Sequence, residues 1–269
     1  MTNELFRKEE EFHDSWADTI NVADVMVNEF FEACTSPENR IILEKLGDVR
    51  GKKILELGCG AGEASVYFAK LGAEATATDL SSGMLRVVEE VATMHGVSVE
   101  TRQTASDSLD FADESFDIVY AANLLHHVEI SPTLAEVERV LKPGGIFAAW
   151  DPLAHNPLIN IYRRMATEVR TEDEHPLKMS DLRLFRQRFE DVSYNTTWFF
   201  TLWIFLSFFL IERVDPNKER YWKKILLEHR RLENRYRFLE RLDGIILRLI
   251  PFLKRYCWNI VIFARKKAS

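Results

Sequence analysis

A glycine-rich segment carries the clearest chemical signal in the sequence. Gly58, Gly60 and Gly62 follow a short apolar run, with Glu56 before them and Glu63 after them. Glycines at this spacing let a backbone turn tightly and approach a ligand closely. The segment lacks the Lys-Ser/Thr pair of a phosphate-binding loop and differs from the GxGxxG of dinucleotide sites. The two acids disfavour a pyrophosphate and favour a ligand with a positive charge.

A further acid, Asp79, ends the next predicted strand, 17 residues after Gly62. A carboxylate in that place can accept hydrogen bonds from both hydroxyls of a ribose. A glycine loop followed by a strand-end acid therefore indicates a nucleoside ligand. Because no phosphate cradle is present, we expect that nucleoside to carry no phosphates.

Histidines and an acid that could move a proton follow two later predicted strands. His126 and His127 come after the fourth strand, and Asp151 and His155 come after the fifth. Open α/β sheets bind ligands beyond the carboxyl ends of their strands, so these side chains are candidates for a reaction site. Histidine titrates near neutral pH, and we take His127, His155 and Asp151 as the candidate catalytic residues. A structural or substrate-orienting role for each histidine stays open.

These residues need a scaffold that brings them to one edge. From residue 53 to about 151, short apolar runs alternate with helical periods, which predicts a parallel sheet covered on both faces. The predicted strands are 53–58, 74–79, 97–103, 116–121, 146–151, 191–199 and 258–266, with a turn at 142–145. The predicted helices are 62–71, 82–94, 131–140 and 156–169. Residues 1–50 are expected to be helical, with one helix capped by Ser36 and starting at Pro37.

Four motifs make the chain similar to the class I S-adenosylmethionine-dependent methyltransferases, in their small-molecule, type 11-like branch. They are ILELGCGAGE at 54–63, ATATDLSSGML at 75–85, FADESFDIVYAANLLHHV at 111–128 and RVLKPGG at 139–145. Their order and spacing match the family over about residues 50–151. The resemblance implies a Rossmann-like α/β fold with a seven-stranded sheet, and S-adenosyl-L-methionine as the cofactor.

The resemblance also implies which residues hold the cofactor. The glycine segment would surround the methionine part, and Asp79 would bind the ribose. Leu80 and Met84 would contact the adenine, and Asn123 would lie near the cofactor at the end of the fourth strand. The predicted cofactor-binding residues are Trp16, Glu56, Gly58, Cys59, Gly60, Gly62, Asp79, Leu80, Met84, Ser106 and Asn123.

Ser106 and Trp16 are assigned to the cofactor on grounds outside the glycine and strand motifs. The family has an acid that bonds the adenine amino group, but Ala105 stands at the aligned position. We assign that contact to Ser106, and a shift in register would give it to Asp107 instead. Trp16 lies in an aromatic segment at 12–17 that is similar to the lid of many relatives, although an ordinary amphipathic helix explains it equally well.

Composition and charge exclude several classes of protein. The 269 residues are 46% hydrophobic and 29% charged, which is typical of a globular chain. Residues 1–150 have a net charge of −15 and residues 151–269 a net charge of +8, and the acidic first part argues against nucleic-acid binding. Three cysteines without a CxxC pair, and no apolar leader, indicate a cytoplasmic protein. No metal is expected, because the histidines lack an accompanying set of carboxylates.

The region between the last two predicted strands has a composition of its own. Residues 198–211 are almost wholly apolar, and residues 212–269 contain 16 basic and 7 acidic residues, a net charge of +9. One predicted helical face carries Trp222, Ile225, Leu226, Leu232, Tyr236, Leu239 and Leu242. This cap could be a buried core, a membrane span, a dimer face, an in-plane membrane contact, or the wall of a lipophilic substrate site.

The sequence therefore predicts four parts: a helical lid at 1–50, a methyltransferase core at 51–198, a cap at 199–256, and a last strand with a basic tail at 257–269. The predicted function is methyl transfer from S-adenosylmethionine to a hydroxyl oxygen of a small or lipid-like acceptor. The alternatives are carbon methylation of a quinone-like ring and a non-catalytic membrane or partner adaptor. The predicted location is cytoplasmic; peripheral contact with the inner face of a membrane through 198–255 stays open, and we make no prediction of oligomeric state.

Overall fold

Seven strands form one sheet in the computed structural model, which describes residues 3–165, 175–215, 219 and 221–268. The strands are β1 (Lys53–Leu57), β2 (Glu74–Asp79), β3 (Glu100–Gln103), β4 (Phe116–Ala122), β5 (Leu141–Pro152), β6 (Glu190–Thr197) and β7 (Asn259–Arg265). Their order is β3-β2-β1-β4-β5-β7-β6. Strand β7 is antiparallel to β5 and β6, and the other pairs are parallel. The predicted seven-stranded α/β fold is confirmed.

Helices cover both faces of this sheet. They are α1 (Asn3–Ala17), α2 (Glu29–Glu32), α3 (Pro37–Leu46), α4 (Glu63–Lys70), α5 (Ser82–Met94), α6 (Ile130–Val140), α7 (Pro157–Met165), α8 (Leu182–Arg188), α9 (Trp203–Leu210), α10 (Tyr221–Leu227) and α11 (His229–Leu249). Successive residues of a strand point to opposite faces. In β4, Val119 joins the core under α6 and α8, while Tyr120 joins the core under α3, α4 and α5. The strands are therefore apolar on both sides, as a doubly covered sheet requires.

The structure corrects several predicted boundaries. Strand β3 begins at Glu100 rather than at residue 97, and β5 includes the predicted turn at 142–145, because Leu141 already pairs with Phe116. Helix α7 ends among the described residues at Met165, and the rest of the predicted helix lies outside them. Ser36 precedes α3 as predicted, but its hydroxyl donates to the carbonyl oxygen of Phe30 instead of capping the helix.

The cap lies between β6 and β7 and consists of α9, α10 and α11. Its core is aromatic: Trp198 packs edge-on against Phe205 and Tyr236. The carboxylate of Asp243 in α11 accepts hydrogen bonds from the hydroxyl of Thr201 at 2.8 Å and from backbone N–H groups at the start of the cap. Among the described helices, none is both long enough and apolar enough to cross a bilayer.

Helix α1 docks on the beginning of α5. The Asp14 carboxylate accepts hydrogen bonds from the Ser81 hydroxyl at 2.5 Å and from the Gly83 backbone N–H at 2.9 Å. These hydrogen bonds lower the pKa of Asp14, and the one from Ser81 has the larger effect. A carboxylate at a helix N-terminus also interacts favourably with the helix dipole. The contact fixes the N-terminal segment above the carboxyl end of β2.

Candidate active site

A cavity of about 440 Å³ lies along the carboxyl ends of the parallel strands. That volume is within the usual range for small-molecule sites. Over β1 and β2, its glycine half is lined by His13, Trp16, Glu56, Gly58, Gly60, Asp79 and Leu80. Over β5, β6 and β7, its aromatic half is lined by Trp150, Ile159, Tyr162, Trp198, Trp222, Trp258 and Asn259. Asn123, His126 and His127 line the cavity between these halves.

The glycine loop leaves room beside its backbone. Gly58 and Gly60 have φ angles of 62° and 49°, in the left-handed region that favours glycine. A Cβ atom on Gly58 would lie 2.8 Å from Cδ1 of Leu124, whereas one on Gly60 would have no neighbour within 4 Å. The loop therefore passes close to the loop that follows β4 and leaves open space beside Gly60.

Asp79 is held rigidly at the end of β2. One carboxylate oxygen accepts a hydrogen bond from the Gly60 backbone N–H at 3.0 Å, and the other accepts one from the Ser81 backbone N–H at 2.9 Å. The side chain is 8% exposed, and burial raises its pKa. Each oxygen keeps a lone pair for a ligand, because a carboxylate oxygen can accept more than one hydrogen bond. Vicinal hydroxyls match this arrangement.

Two more carboxyl groups, those of Glu56 and Glu63, line the glycine half. Glu56 accepts hydrogen bonds from the backbone N–H of Ser65, at 2.7 Å, and from its hydroxyl. Burial raises the pKa of Glu56 to about 8 and also raises the pKa of Glu63. A cationic group of a ligand would favour their ionised forms. The Cys59 thiol is buried between acids, which raises its pKa and keeps it neutral.

Nine of the eleven predicted cofactor-binding residues line the cavity, and Gly62 and Met84 do not. Gly62 precedes α4 with a φ of 85°, and a Cβ atom there would lie 2.8 Å from Cγ2 of Val88. Met84 is fully buried in the core under the sheet. Both residues serve packing in this structure. Thr104 also lines the cavity, but the sequence prediction missed it, since a lone threonine beyond a strand gives no distinctive signal. Asp107, the alternative to Ser106 for the adenine contact, lies outside the lining.

The structure pairs Asp151 with His126. Asp151 is fully buried, and its Oδ1 lies 2.6 Å from Nδ1 of His126. Its two oxygens also accept hydrogen bonds from the backbone N–H groups of Leu125, at 3.2 Å, and His126, at 3.1 Å. The loop after β4 is thus fastened to the end of β5. The turn begins at Asn123, whose φ of 53° is unusual for a residue other than glycine.

This pairing determines which imidazole nitrogen can act as a base. Burial raises the pKa of Asp151 to about 7, and the two backbone donors oppose that rise. When the proton lies on Nδ1 and bonds to Asp151, Nε2 is the nitrogen that carries a basic lone pair. Sequence reasoning missed the pairing, although β4 and β5 are adjacent and both residues follow those strands.

The two histidines predicted to be catalytic, His127 and His155, lie in different places. His127 lines the cavity, and its ring centroid lies 4.1 Å from that of His126. His155 does not line the cavity, so the structure does not bring it to the site. Burial and the charges of Arg255 and Lys178 lower its pKa. The next residue, Asn156, caps α7 by accepting hydrogen bonds from the backbone N–H groups of Leu158 and Ile159.

The aromatic half has rigid walls. The indole N–H of Trp150 donates to Oδ1 of Asn39 at 3.0 Å and to the Tyr120 hydroxyl at 3.1 Å. Trp258 packs edge-on against Phe205, with ring centroids 4.6 Å apart. Fixed ring planes of this kind suit a flat or elongated apolar ligand.

One buried carboxyl group interrupts this apolar wall. Oε1 of Glu38 accepts hydrogen bonds from the Thr197 hydroxyl and, at 2.9 Å, from the Asn259 amide. Burial raises the pKa of Glu38. Glu38 lies in the first turn of α3, and nothing local in the sequence shows that this turn would reach Thr197 of β6 and Asn259 of β7.

The donor set fits S-adenosylmethionine. Asp79 offers acceptors for a ribose diol, the space beside Gly60 lets the ligand lie against the backbone, and Glu56 faces the cavity where a cationic end would bind. The loop contains no basic side chain to receive phosphates. The residues over β1 and β2 therefore match the chemistry of a nucleoside that carries positive charge and no phosphate.

Comparison with known proteins agrees with this geometry. Residues 55–149 match the family described as a methyltransferase domain. The chain is 37% identical over 105 residues to a ubiquinone biosynthesis O-methyltransferase of Pseudomonas syringae pv. tomato, covering 38% of this chain and 45% of that protein. It is 34% identical over 110 residues to a malonyl-[acyl-carrier protein] O-methyltransferase of Pseudescherichia vulneris, covering 40% and 42% respectively. The chain thus spans less than half the length of these two relatives.

A solved structure extends the fold comparison beyond the matched segment. A SAM-dependent methyltransferase from Methanosarcina mazei aligns with a TM-score of 0.56 at 20% identity, over 85% of this chain and 98% of that one. The fold is therefore shared with a solved SAM-dependent methyltransferase, and residues 55–149 match the methyltransferase domain family. The family resemblance found in the sequence is confirmed for that segment.

Proposed function

We propose that this protein is an S-adenosylmethionine-dependent O-methyltransferase that acts on a lipophilic small molecule. The observation that carries the proposal is the continuous cavity, whose glycine half fits the cofactor and whose aromatic half extends from it past His126. The cofactor supplies an electrophilic methyl group. The protein's part is to hold the acceptor in line with that group and to exclude water.

In this proposal His126 is the general base, whereas the sequence prediction named His127 and His155 as the candidates. An acceptor hydroxyl loses its proton to Nε2 of His126 as its oxygen takes the methyl group. Asp151 holds the ring through Nδ1 at 2.6 Å and stabilises the imidazolium that forms. The products are a methyl ether and S-adenosylhomocysteine, and the proton passes to solvent afterwards. His127 remains the rival base because it lines the same part of the cavity.

Support for a lipophilic acceptor comes from the walls of the aromatic half. Trp150, Trp198, Trp222 and Trp258 line it, together with Ile159, so a polar acceptor would gain little there. Glu38 offers one buried polar anchor for a hydroxyl or amine away from the methylated atom. Four tryptophans also suit a ring acceptor, which favours carbon methylation of a quinone-like ring as the second candidate. That reaction would need no strong base at His126.

A lipophilic acceptor partitions into membranes, so the proposal includes peripheral contact between a bilayer and the cap. The cap supplies several walls of the aromatic half, among them Trp222, Ile225 and Leu226 of α10. A cap that touches a bilayer would shorten the path of such a molecule to the cavity.

The test of the proposed function uses methyl-labelled S-adenosylmethionine with the purified protein and a cell extract. We expect label to enter the organic phase with the native protein and to be lost with Asp79→Ala. Label confined to the aqueous phase would contradict a lipophilic acceptor. Unchanged cofactor binding in Asp79→Ala, with no transfer by either protein, would favour a non-catalytic adaptor.

A further inference from the structure

Helix α11 has two apolar faces, and only one of them packs against the protein. Leu232 and Tyr236 are buried in the core of the cap, on the face that the sequence pattern singled out. Phe238, Ile245 and Leu249 follow one another at intervals of seven and four residues, so they lie along one side of the helix. These three side chains, here called the outer stripe, are 62%, 56% and 72% exposed.

Further exposed apolar groups lie near the two ends of α11. Phe252, just beyond the end of α11, is 67% exposed, and the end of α9 exposes Phe209, Leu210 and Ile211. An ion pair of 2.8 Å between Glu212 and Arg231 places that end of α9 beside the start of α11. Exposed apolar groups that extend over two elements in this way mark an interaction surface.

Arginines flank the outer stripe. Arg235, Arg241 and Arg248 lie three or four residues from its members, on neighbouring sides of the helix. Within the described residues, none of these three arginines forms an ion pair. The three acids of α11 are engaged elsewhere, Glu233 with Arg237, Glu240 with Arg40 and Asp243 with Thr201. The surface around the outer stripe is therefore cationic.

From this arrangement we infer that the outer stripe and the end of α9 lie on a bilayer that contains anionic phospholipids. Apolar side chains enter the interfacial layer while arginines bind the headgroup phosphates, with the helix axis parallel to the membrane. A symmetric dimer through this face would bring two arginine-flanked, cationic surfaces together, which disfavours a second copy as the occupant. The inference rests on the proposed function in one respect: membrane contact would give a lipophilic acceptor a route to the cavity. Trp222 lines that cavity and is also 37% exposed.

Co-sedimentation with vesicles tests this surface. The native protein should bind vesicles of phosphatidylcholine mixed with phosphatidylglycerol, and bind vesicles of phosphatidylcholine alone far more weakly. The double substitution Ile245→Ser with Leu249→Ser should weaken binding at least about tenfold, since each removes an exposed apolar group that would enter the membrane. Arg241→Gln with Arg248→Gln should weaken it about thirtyfold at low salt, from ~1 kcal/mol per arginine near an anionic surface.

The matched control is Leu71→Ser with Met94→Ser. Leu71 follows the end of α4 and Met94 ends α5, so this variant removes exposed apolar side chains away from the cap. It should bind vesicles like the native protein. Equal binding by the Ile245/Leu249 variant, or equal binding to neutral vesicles, would overturn the inference. So would light scattering that shows a native dimer broken by that variant, because a second copy would then cover the face. Calorimetry of S-adenosylmethionine binding on the same preparations tests the proposed function separately, because loss of vesicle binding should leave cofactor affinity unchanged.

Discussion

Replacing His126 with Gln tests the proposed base most sharply. His126 is the histidine held by a buried carboxylate, at 2.6 Å, and it lines the cavity between the glycine and aromatic halves. A positioned general base contributes about 10²–10⁴ in rate, equivalent to about 3–5 kcal/mol of activation free energy. We therefore expect His126→Gln to lower kcat by that factor. Cofactor affinity should change little, because His126 lies outside the glycine half.

Asp151→Asn separates positioning from base chemistry. Oδ1 of Asp151 faces two donors on His126, its backbone N–H and Nδ1, whereas Oδ2 faces only the Leu125 N–H. The Asn carbonyl should therefore take the Oδ1 place, leaving the amide against the Leu125 N–H. The histidine keeps its tautomer but loses the negative charge beside it. We expect a loss of about 10–100-fold in kcat and about 1–3 kcal/mol in the free energy of unfolding.

The assay is the initial rate of label transfer into the organic phase at saturating labelled S-adenosylmethionine, with calorimetry for cofactor affinity. His127→Gln is the matched control and should lower kcat less than tenfold. The double variant His126→Gln with Asp151→Asn should be no slower than His126→Gln alone, because one residue acts through the other. If His126→Gln keeps a rate within threefold of the native one while His127→Gln loses activity, the reasoning fails and His127 is the base.

Three further outcomes follow from the glycine half. Asp79→Ala should weaken S-adenosylmethionine binding about 10–100-fold by calorimetry, since charged hydrogen bonds contribute about 1.5–3 kcal/mol; an unchanged Kd would exclude it from the ribose site. Burial raises the pKa of Glu56 from 4.5 to about 8, so the native state binds this proton more tightly than the unfolded state does. The free energy of unfolding should therefore fall as the pH rises from 4.5 to 8, by up to about 1.4 kcal/mol per pH unit. Denaturant titrations of Glu56→Gln should lack that part of the slope, and a slope equal to the native one would contradict the assignment. Gly62→Ala should lower the free energy of unfolding by about 2–4 kcal/mol, because the φ at Gly62 is 85° and a Cβ atom there would lie 2.8 Å from Val88. The control Gly96→Ala, with a φ of 67° and no neighbour within 4 Å, should lower it by about 1 kcal/mol. Equal shifts in Tm for the two variants would show that packing against Val88 is not the cause.

The sheet and the glycine half could be predicted because their signals are local. The run around Gly58 and Gly60 follows a buried strand directly, and Asp79 ends the next strand. Strand periodicity and motif spacing need only adjacent residues, and parallel strands place their carboxyl ends at one edge. Gly62 shows where such reasoning stops. It belongs to the motif, yet its contact is with Val88 of a helix that the motif does not mention.

The catalytic pair could be predicted only in part. The sequence placed His126, His127, Asp151 and His155 beyond neighbouring strands, and the structure shows which of them meet. That outcome depends on the turn that starts at the left-handed Asn123 and on the loop between β5 and α7, which leaves His155 outside the cavity lining. Neither conformation follows from residue type alone, because the tertiary contacts of both loops select it.

The aromatic half and the outer stripe depend on long-range packing. Glu38 reaches the cavity because α3 crosses the ends of β6 and β7, where Thr197 and Asn259 bond to it. In α11 the sequence pattern identified the face of Leu232 and Tyr236, but periodicity alone did not show whether that face packs inward or contacts a partner. The structure decides this by packing Tyr236 inward and leaving Leu249 outside.

The most direct test of the central claim is a crystal structure with S-adenosylhomocysteine bound. We expect the ribose hydroxyls to lie within hydrogen-bond distance of Asp79, and the sulfur to be turned towards His126 and the aromatic half. Electron density for the ligand elsewhere, or a sulfur directed away from the aromatic half, would contradict the proposal that one cavity holds both cofactor and acceptor.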